Sequence, residues 1–336
     1  MARGKKKRNK VDGWLILDKP VGLSSTQALG RVKWFLNPQK AGHAGTLDPL
    51  ASGLLPLAFG EATKTVPYVM DGRKVYRFTV RWGVETDTDD TEGAVIATSD
   101  VLPDADDIRA VLPEFTGEIL QTPPKFSAIK VDGARAYDLA RAGEEVELEA
   151  RPIEIHRLDL VEMPDAETTV FEAECGKGTY VRALARDIGR RLGTHGHVCA
   201  LRRVLVGPFD EEDMVTLDEL EEIAAEAREE LAAEAGDAIE VADEEADGEA
   251  PKRPAPLDPD VFEEVMLPVE TALADLPELA VDTNAAARLR RGQGVILRGR
   301  DAPVAGCEVF ATCRGQLVAL GQVERGELRP IRVFNL

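Results

Sequence analysis

KVYRFTVRW, residues 74–82, alternates with a period of two. Tyr76, Phe78, Val80 and Trp82 fall on one face, and Arg77, Thr79 and Arg81 on the other. Only an extended chain half-buried in a sheet sorts every second side chain this way, so the stretch reads as a strand. Residues 170–175 alternate similarly and run into Gly176 and Gly178. From Tyr180 the period changes. Leu184, Ile188 and Leu192 recur every four residues on one face, and Arg182, Arg186 and Arg190 on another, the spacing of a helix. Strand, glycine turn and helix in this order predict an α+β domain around a central mixed or antiparallel sheet. Nearer the chain's end, short strand-like runs (VILR, EVFAT, QLVALGQV) are broken by Gly and Pro, which predicts a separate, small β-rich domain. No internal repeat is visible.

The 336 residues exceed one typical domain and fall short of three large ones. A hydrophobic fraction of 44% is ordinary for a globular protein. No run approaches the roughly 18 apolar residues of a membrane span. The opening MARGKKKRNK is basic, but no apolar stretch follows, so it does not read as a secretory leader. Cys175, Cys199, Cys307 and Cys313 form no C-x-x-C and no zinc or disulfide spacing. Reduced cysteines in a cytoplasmic protein are the expectation.

The net charge of -20 argues at first against nucleic acid, but its distribution changes that argument. Residues 218–249 hold 15 acids and one base, Arg228, and so carry -14 of the total. The first ten residues carry six basic side chains and no acid, and 285–300 carry five arginines and no acid. Stretch 175–203 has seven Lys/Arg against Asp187. A phosphate senses the local field, which salt screens within about 10 Å, so these segments permit RNA binding. Residues 218–262 read as one acidic, low-complexity insertion. Its part over 218–235 is suited to an exposed helix, and the part after Gly236 reads as a disordered linker. On that reading the segment is dispensable and marks a domain boundary.

The densest special chemistry lies in AGHAGTLDPLASGLLPLAFGEATK, residues 41–64. Glycines and prolines bracket one acid, Asp48, with His43 five positions earlier. Glycine permits sharp turns, and Pro49 biases Asp48 away from helical geometry. The stretch predicts a loop holding one carboxylate in a fixed pose, with apolar residues behind it. Spacing alone leaves open that Asp48 merely caps the following turn.

Six stretches in order carry a resemblance: GWLILDKPVGLSS at 13–25, GHAGTLDPLASGLLPLAFGEATK at 42–64, VYRFTVRWGVETDTDDTEG at 75–93, QTPPKFSAIKVDGARAYDLARAG at 121–143, CGKGTYVRALARDIG at 175–189 and HVCALRRVLVGPF at 197–209. Together they resemble the motifs of the TruB-type pseudouridine synthases over about residues 11–210. The likeness is weaker over 263–336 and missing from the acidic stretch. The resemblance implies isomerisation of uridine to pseudouridine in the T-loop of tRNA, at tRNA position 55. The target base would be flipped into a pocket, and no metal or organic cofactor would be needed.

Residue by residue, the resemblance implies Asp48 as nucleophile, Arg182 as its ion-pair partner and Tyr76 as the ring that contacts the target uracil. A carboxylate suits the first role, being ionised at pH 7 and able to form an ester and leave again. His43 would enter the space the base vacates, and Leu201 would line the uracil pocket. Lys19 and Pro20 would support the active-site loop, with RNA contact secondary. Lys64, Lys130, Arg202 and Arg203 are candidate phosphate contacts, with solvated surface charge as the alternative for each. For Arg182 the alternative is an exposed arginine face shared with Arg186 and Arg190.

The implied organisation is a basic disordered arm at 1–10 and a catalytic domain at 11–217, with a mobile thumb at 122–150. The acidic insertion at 218–262 and a return segment at 263–276 would follow, then a PUA-like RNA-binding domain at 277–336. The expected partner is tRNA, at its T-loop and elbow, with no membrane and no obligate protein partner. Three competing readings remain. They are a non-catalytic tRNA-folding factor, a guide-RNA-dependent synthase, and an aspartyl phosphotransferase, for which a second acid close to Asp48 is missing from the sequence.

Overall fold

The fold was obtained as a computed structural model that describes residues 8–127, 130–131, 134–135, 148–235, 257–297 and 306–336; for residues 130, 131, 134, 135, 234 and 235 it describes the backbone alone. In chain order the first elements are β1 (Gly13–Lys19), α1 (Ser25–Leu36), β2 (Ala41–His43), β3 (Ala51–Phe59), α2 (Val66–Asp71) and β4 (Lys74–Trp82). A hairpin of β5 (Val84–Thr86) and β6 (Val95–Thr98), α3 (Ala105–Val111) and β7 (Gly117–Gln121) follow. Next come a two-residue pair, β8 (Lys130–Val131) and β9 (Ala134–Arg135), then β10 (Arg151–Glu162), β11 (Thr168–Cys175), α4 (Val181–Arg191), β12 (Gly196–Val206), β13 (Met214–Val215) and α5 (Leu217–Ala235). The chain ends in β14 (Glu278–Ala280), α6 (Thr283–Arg290), β15 (Val295–Ile296), β16 (Glu308–Cys313), β17 (Gln316–Glu324) and β18 (Glu327–Val333).

The central sheet has nine strands, in the order β13-β1-β3-β12-β4-β11-β10-β7 with β2 paired to β3. The pairs β1–β13 and β3–β12 are parallel and the rest antiparallel, so the sheet is mixed as expected. Its two halves obey different rules. In β1, Leu15 and Leu17 enter one core with α1 and α4, while Trp14 and Ile16 enter another on the opposite face. A strand buried on both faces shows no polar alternation, and GWLILDK has none. In β4 only one face is covered. Phe78 stacks on Phe171 at 5.4 Å between centroids. On the outer face Arg73, Arg77 and Arg81 pair with Glu174, Glu172 and Glu167 at 2.9–3.0 Å. These exposed pairs contribute little stability each but neutralise a row of arginines.

The C-terminal strands form a five-stranded sheet, β14-β16-β17-β18-β15, with α6 packed on it. This is the small β-rich unit foreseen, but it is not a loose appendage. Phe310, Leu317, Leu320 and Phe334 share one buried cluster with Trp14, Ile16, Val69 and Phe209. Lys64 Nζ donates to the Val333 carbonyl at 2.8 Å and lies over the Phe334 ring, while Asn335 N donates to Glu61 at 2.8 Å. Removing residues 277–336 would bare that cluster, so the unit is docked by a shared core.

The acidic segment also departs from expectation. Residues 217–235 are helical, yet Leu217, Leu220, Ala224 and Ala227 are buried. They belong to the main core with Leu257 and Phe262, and Phe262 lies 6.1 Å from Phe35 of α1. The small apolar residues at i, i+3/i+4 spacing were masked by the surrounding glutamates. The 218–262 stretch is therefore not a dispensable insertion as a whole, because both its ends supply core. The proposed thumb at 122–150 falls largely outside the described residues. Truncating Phe262 to Ala is expected to cost about 3–5 kcal/mol, measured by urea denaturation; a loss under 1 kcal/mol would mean this end of the acidic stretch is not structural.

Candidate active site

Asp48 lies in the loop between β2 and β3, and the backbone on both sides of it is pinned. Ser25, the first residue of α1, accepts from the Leu47 amide at 2.8 Å and donates to the Leu47 carbonyl at 3.0 Å. The Gly22 amide donates to Pro49 O at 2.7 Å, and the Ala51 amide to Asp48 O at 3.1 Å. Beneath the loop Lys19 is fully buried, with Nζ donating to Pro20 O at 2.9 Å and Leu23 O at 2.7 Å. Burial lowers the Lys19 pKa from 10.5 to about 8; nearby Asp48 opposes the shift and Arg203 adds to it. Lys19 thus remains an ammonium at pH 7. It props the loop from within, while Pro20 is exposed at its surface.

The Asp48 carboxylate faces Arg182, with Oδ2 2.9 Å from Nη2. The arginine side chain is 8% exposed and the aspartate 41%, so one oxygen is held by a buried cation while the group stays open to a ligand. Arg182 has three further partners. Nη1 lies 3.2 Å from Asp90 Oδ2 and donates to Thr88 O at 2.9 Å, and Nη2 donates to Phe126 O at 3.0 Å. Asp90 is itself fixed, with Oδ1 accepting from the Thr88 hydroxyl at 2.6 Å and the Glu92 amide at 2.9 Å. The capping alternative for Asp48 falls away, because its side chain serves an arginine. The exposed-face alternative for Arg182 falls with it.

Sheet register brings the next residues together. Tyr76 on β4 stands opposite Arg203 on β12, and Leu201 stands opposite Phe78 on one side and Ala51 on the other. Arg203 is 1% exposed. It donates to Leu54 O at 2.8 Å and Gly45 O at 3.1 Å, and its charge acts on the neighbouring Tyr76. Two glycines make room for it: a Cβ at Gly53, where φ is +93°, would sit 2.2 Å from Arg203 O, and one at Gly45 would sit 3.1 Å from its guanidinium. Burial raises the Tyr76 pKa against the pull of Arg203, so the ring is a neutral phenol. Burial first and Arg203 second lower the His43 pKa, which leaves a neutral imidazole at pH 7. His43 Nδ1 is buried and has no hydrogen-bond partner among the described residues.

The phosphate candidates fare differently. Arg203 is no surface cation; being buried and bonded, it belongs to the floor of the site. Arg202 makes a two-pronged contact with Asp18 at 2.9 Å and reaches Glu211 at 3.0 Å. Lys64 is committed to Glu61 and the C-terminal unit. The Lys130 side chain lies outside the described residues. Sequence reading assigned no role to Asp90, one of four acids in TDTDDTEG with nothing local to single it out. The fold carries that stretch to the helix bearing Arg182, where Asp90 pairs with the same guanidinium as Asp48, each on a different nitrogen.

Two family models match the chain: the N-terminal domain of TruB family pseudouridylate synthase over residues 33–181, and the tRNA pseudouridylate synthase B C-terminal domain over 182–274. A protein called tRNA pseudouridine synthase B from Bradyrhizobium diazoefficiens is 58% identical over 329 residues, covering 98% of this chain and 87% of the relative. One of the same name from Chelativorans sp. is 54% identical and covers 99% of both chains. Among solved structures, an H/ACA RNP bound to a substrate RNA containing 2'-deoxyuridine is similar with TM-score 0.69 at 25% identity, over 96% of this chain and 85% of that one. A Cbf5-Nop10-Gar1 complex has TM-score 0.67 at 26% identity, over 96% and 84%.

The buried Lys19 gives a pH signature. Between about 8 and 10.5 the folded lysine has lost its proton while the unfolded chain still holds it, so stability rises with pH there. Relative to Lys19→Met, wild type is expected to gain up to about 3 kcal/mol across that window. Denaturant titrations of both proteins from pH 7.5 to 10.5 measure it, and a constant difference would refute the burial argument.

Proposed function

The chain belongs to the TruB family of pseudouridine synthases, and we infer that it isomerises uridine to pseudouridine in tRNA, at the T-loop uridine of tRNA position 55, with Asp48 as nucleophile. The observation that carries this reading is the half-open Asp48 carboxylate tethered through one oxygen to buried Arg182, beside the neutral ring of Tyr76. The reaction breaks the N1–C1′ bond, turns the base and joins C5 to C1′. C5 loses a proton and N1 ends with one, so no electrons are exchanged and no redox or metal partner is called for by the chemistry.

The roles follow from the environments. Arg182 holds the Asp48 carboxylate in place and sets its aim. A nucleophilic carboxylate that forms an ester with the sugar and then departs lets the base rotate while it is still confined. Tyr76 offers its face to the uracil, where base–aromatic stacking is worth about 1–3 kcal/mol. That offsets part of the few kcal/mol needed to flip a base out of its stack. Neutral His43 suits the vacated space, since an uncharged ring can stack where a base stood. Leu201 excludes water from the pocket. RNA readout rests on shape, as expected for a folded loop.

Residues 277–336 act as an RNA-binding unit, with α6 presenting Arg288, Arg290 and Arg291 exposed to solvent. We place the protein in the cytoplasm, acting alone; among the described residues no helix is long and apolar enough to cross a membrane. Likeness to structures of H/ACA and Cbf5-Nop10-Gar1 complexes favours one second reading, action within a guided particle. Modification of a bare transcript by the free protein excludes it.

Two outcomes are expected. With unmodified tRNA transcript and chelator present, wild type forms pseudouridine at position 55. Asp48→Asn forms none while binding tRNA within a few-fold; product formation by the variant would remove Asp48 from the role. Replacing Arg288, Arg290 and Arg291 together by Ala weakens tRNA binding about tenfold and flattens its salt dependence, with the rate at saturating tRNA nearly unchanged. Unaltered binding in a filter assay would place the RNA elsewhere.

A further inference from the structure

Three arginines recur along α4, and the chemistry above uses only the first. Arg186, one turn beyond Arg182, is buried too, at 9% side-chain exposure. Its Nη1 lies 3.0 Å from Asp89 Oδ2, and its Nη2 donates to Thr122 O at 2.8 Å. Nε and Nη2 also reach Asp187 on the same helix, at 2.9 and 3.2 Å. Arg182 grips the same two pieces of chain one turn earlier: the 86–90 turn through Thr88 O and Asp90, and the stretch leaving β7 through Phe126 O. Gln121 adds a third tie, accepting from the Tyr180 amide at 2.9 Å and donating to its carbonyl at 3.2 Å.

Asp89 sits between Thr88 and Asp90, the two residues whose oxygens hold Arg182 Nη1. Its backbone is in the left-handed region at φ +61°, where a short polar side chain is tolerated and its direction is set by the turn. The Asp89 amide donates to Thr86 O at 3.2 Å, and its carbonyl accepts from Val198 N at 3.0 Å. Rotation of this turn would therefore carry Thr88 O and Asp90 away from Arg182 together.

We propose that Arg186 and Asp89 form a positioning pair for the isomerisation: they lock the 86–90 turn and the start of the 122–126 stretch against α4, and so set the aim of Arg182 at Asp48. This rests on the function proposed above. The pair touches no substrate; it acts through Arg182. The charged groups facing Asp89 are Arg186, Arg182 and Arg190 from α4 and Glu85 from β5. Asp90 adjoins it in the chain, and His195 binds Glu85 from behind at 2.9 Å. Burial pushes the Asp89 carboxyl up to about 6, with Arg186 and Arg182 opposing. Asp89 therefore loses its charge, and Arg186 its counter-ion, in a range where the rate is measurable. The third rung, Arg190 with Glu85, has an arginine 55% exposed and lies a turn further from Asp48.

The test is single-turnover pseudouridine formation on unmodified tRNA transcript by the full chain. Arg186→Gln and Asp89→Asn are expected to lower the rate at saturating enzyme about 10- to 100-fold at pH 7.5, the scale of loss from misplacing a group by about 1 Å. The tRNA dissociation constants should stay within about threefold of wild type, and Arg186→Lys should recover part of the rate. The ratio of wild-type to Asp89→Asn rate should fall toward one as pH drops from 7.5 to 5, because wild type then also carries a neutral Asp89. A ratio that stays constant with pH overturns the proposal, as does a folded variant with a rate within twofold of wild type. If Arg186→Gln does not fold, Asp89→Asn decides; if that also fails to fold, the pair is structural only and the proposal falls. Product formation by wild type tests the functional reading separately.

Discussion

Arg182 brings a permanent positive charge into a place where its side chain is 8% exposed. A guanidinium cannot shed its proton to escape such a site, and an unpaired buried charge would be prohibitive. The surroundings must therefore supply acceptors, and four come from three parts of the chain: Asp48, then Thr88 O and Asp90 of one turn, then Phe126 O. Asp90 and the backbone around Asp48 are held by bonds of their own, so satisfying one cation ties the catalytic loop, the 86–90 turn and the stretch beyond β7 to α4. Planar, multi-donor geometry makes arginine suited to this and lysine much less so.

The remaining cations near the site follow the same logic with different results. Lys19 is buried and bonded to two carbonyls; a lysine can answer burial by lowering its pKa, and it does. Arg203 cannot, and it donates instead to Leu54 O and Gly45 O. Its charge in turn helps to keep His43 neutral. A half-exposed carboxylate, two neutral rings and several buried cations thus lie close together. The positive field is directed inward at Asp48, and the described surface cations of the catalytic sheet are largely paired with acids.

This arrangement reconciles an RNA-modifying enzyme with a net charge of -20. The exposed glutamates of α5 lie on the outer side of a helix whose inner side is core. On the open face of the sheet, arginines and glutamates alternate across strands and cancel. Salt screens charges farther apart than about 10 Å, so a phosphate senses nearby groups more than the net total. The C-terminal unit adds exposed arginines at the end of α6 and is tied to the catalytic sheet by a continuous apolar cluster. It therefore presents them at a fixed position.

Much was legible in the residues themselves. Period-two alternation identified β4 and β11, and the change to period four identified α4, because one-sided burial writes itself into local spacing. Glycines and Pro49 around a single acid marked Asp48 as a residue held in a loop, and the ordered motifs identified the family. Local pattern also misled. Glutamates hid the core face of α5, and Arg203 looked like the surface residue that Arg202 more nearly is. Asp90, 42 positions from Asp48, had no local sign of its role. Those points depend on partners distant in sequence, brought together by the order of strands and the docking of α4. Periodicity records which side of an element is buried; only the assembled fold decides which charge lies within 3 Å of which.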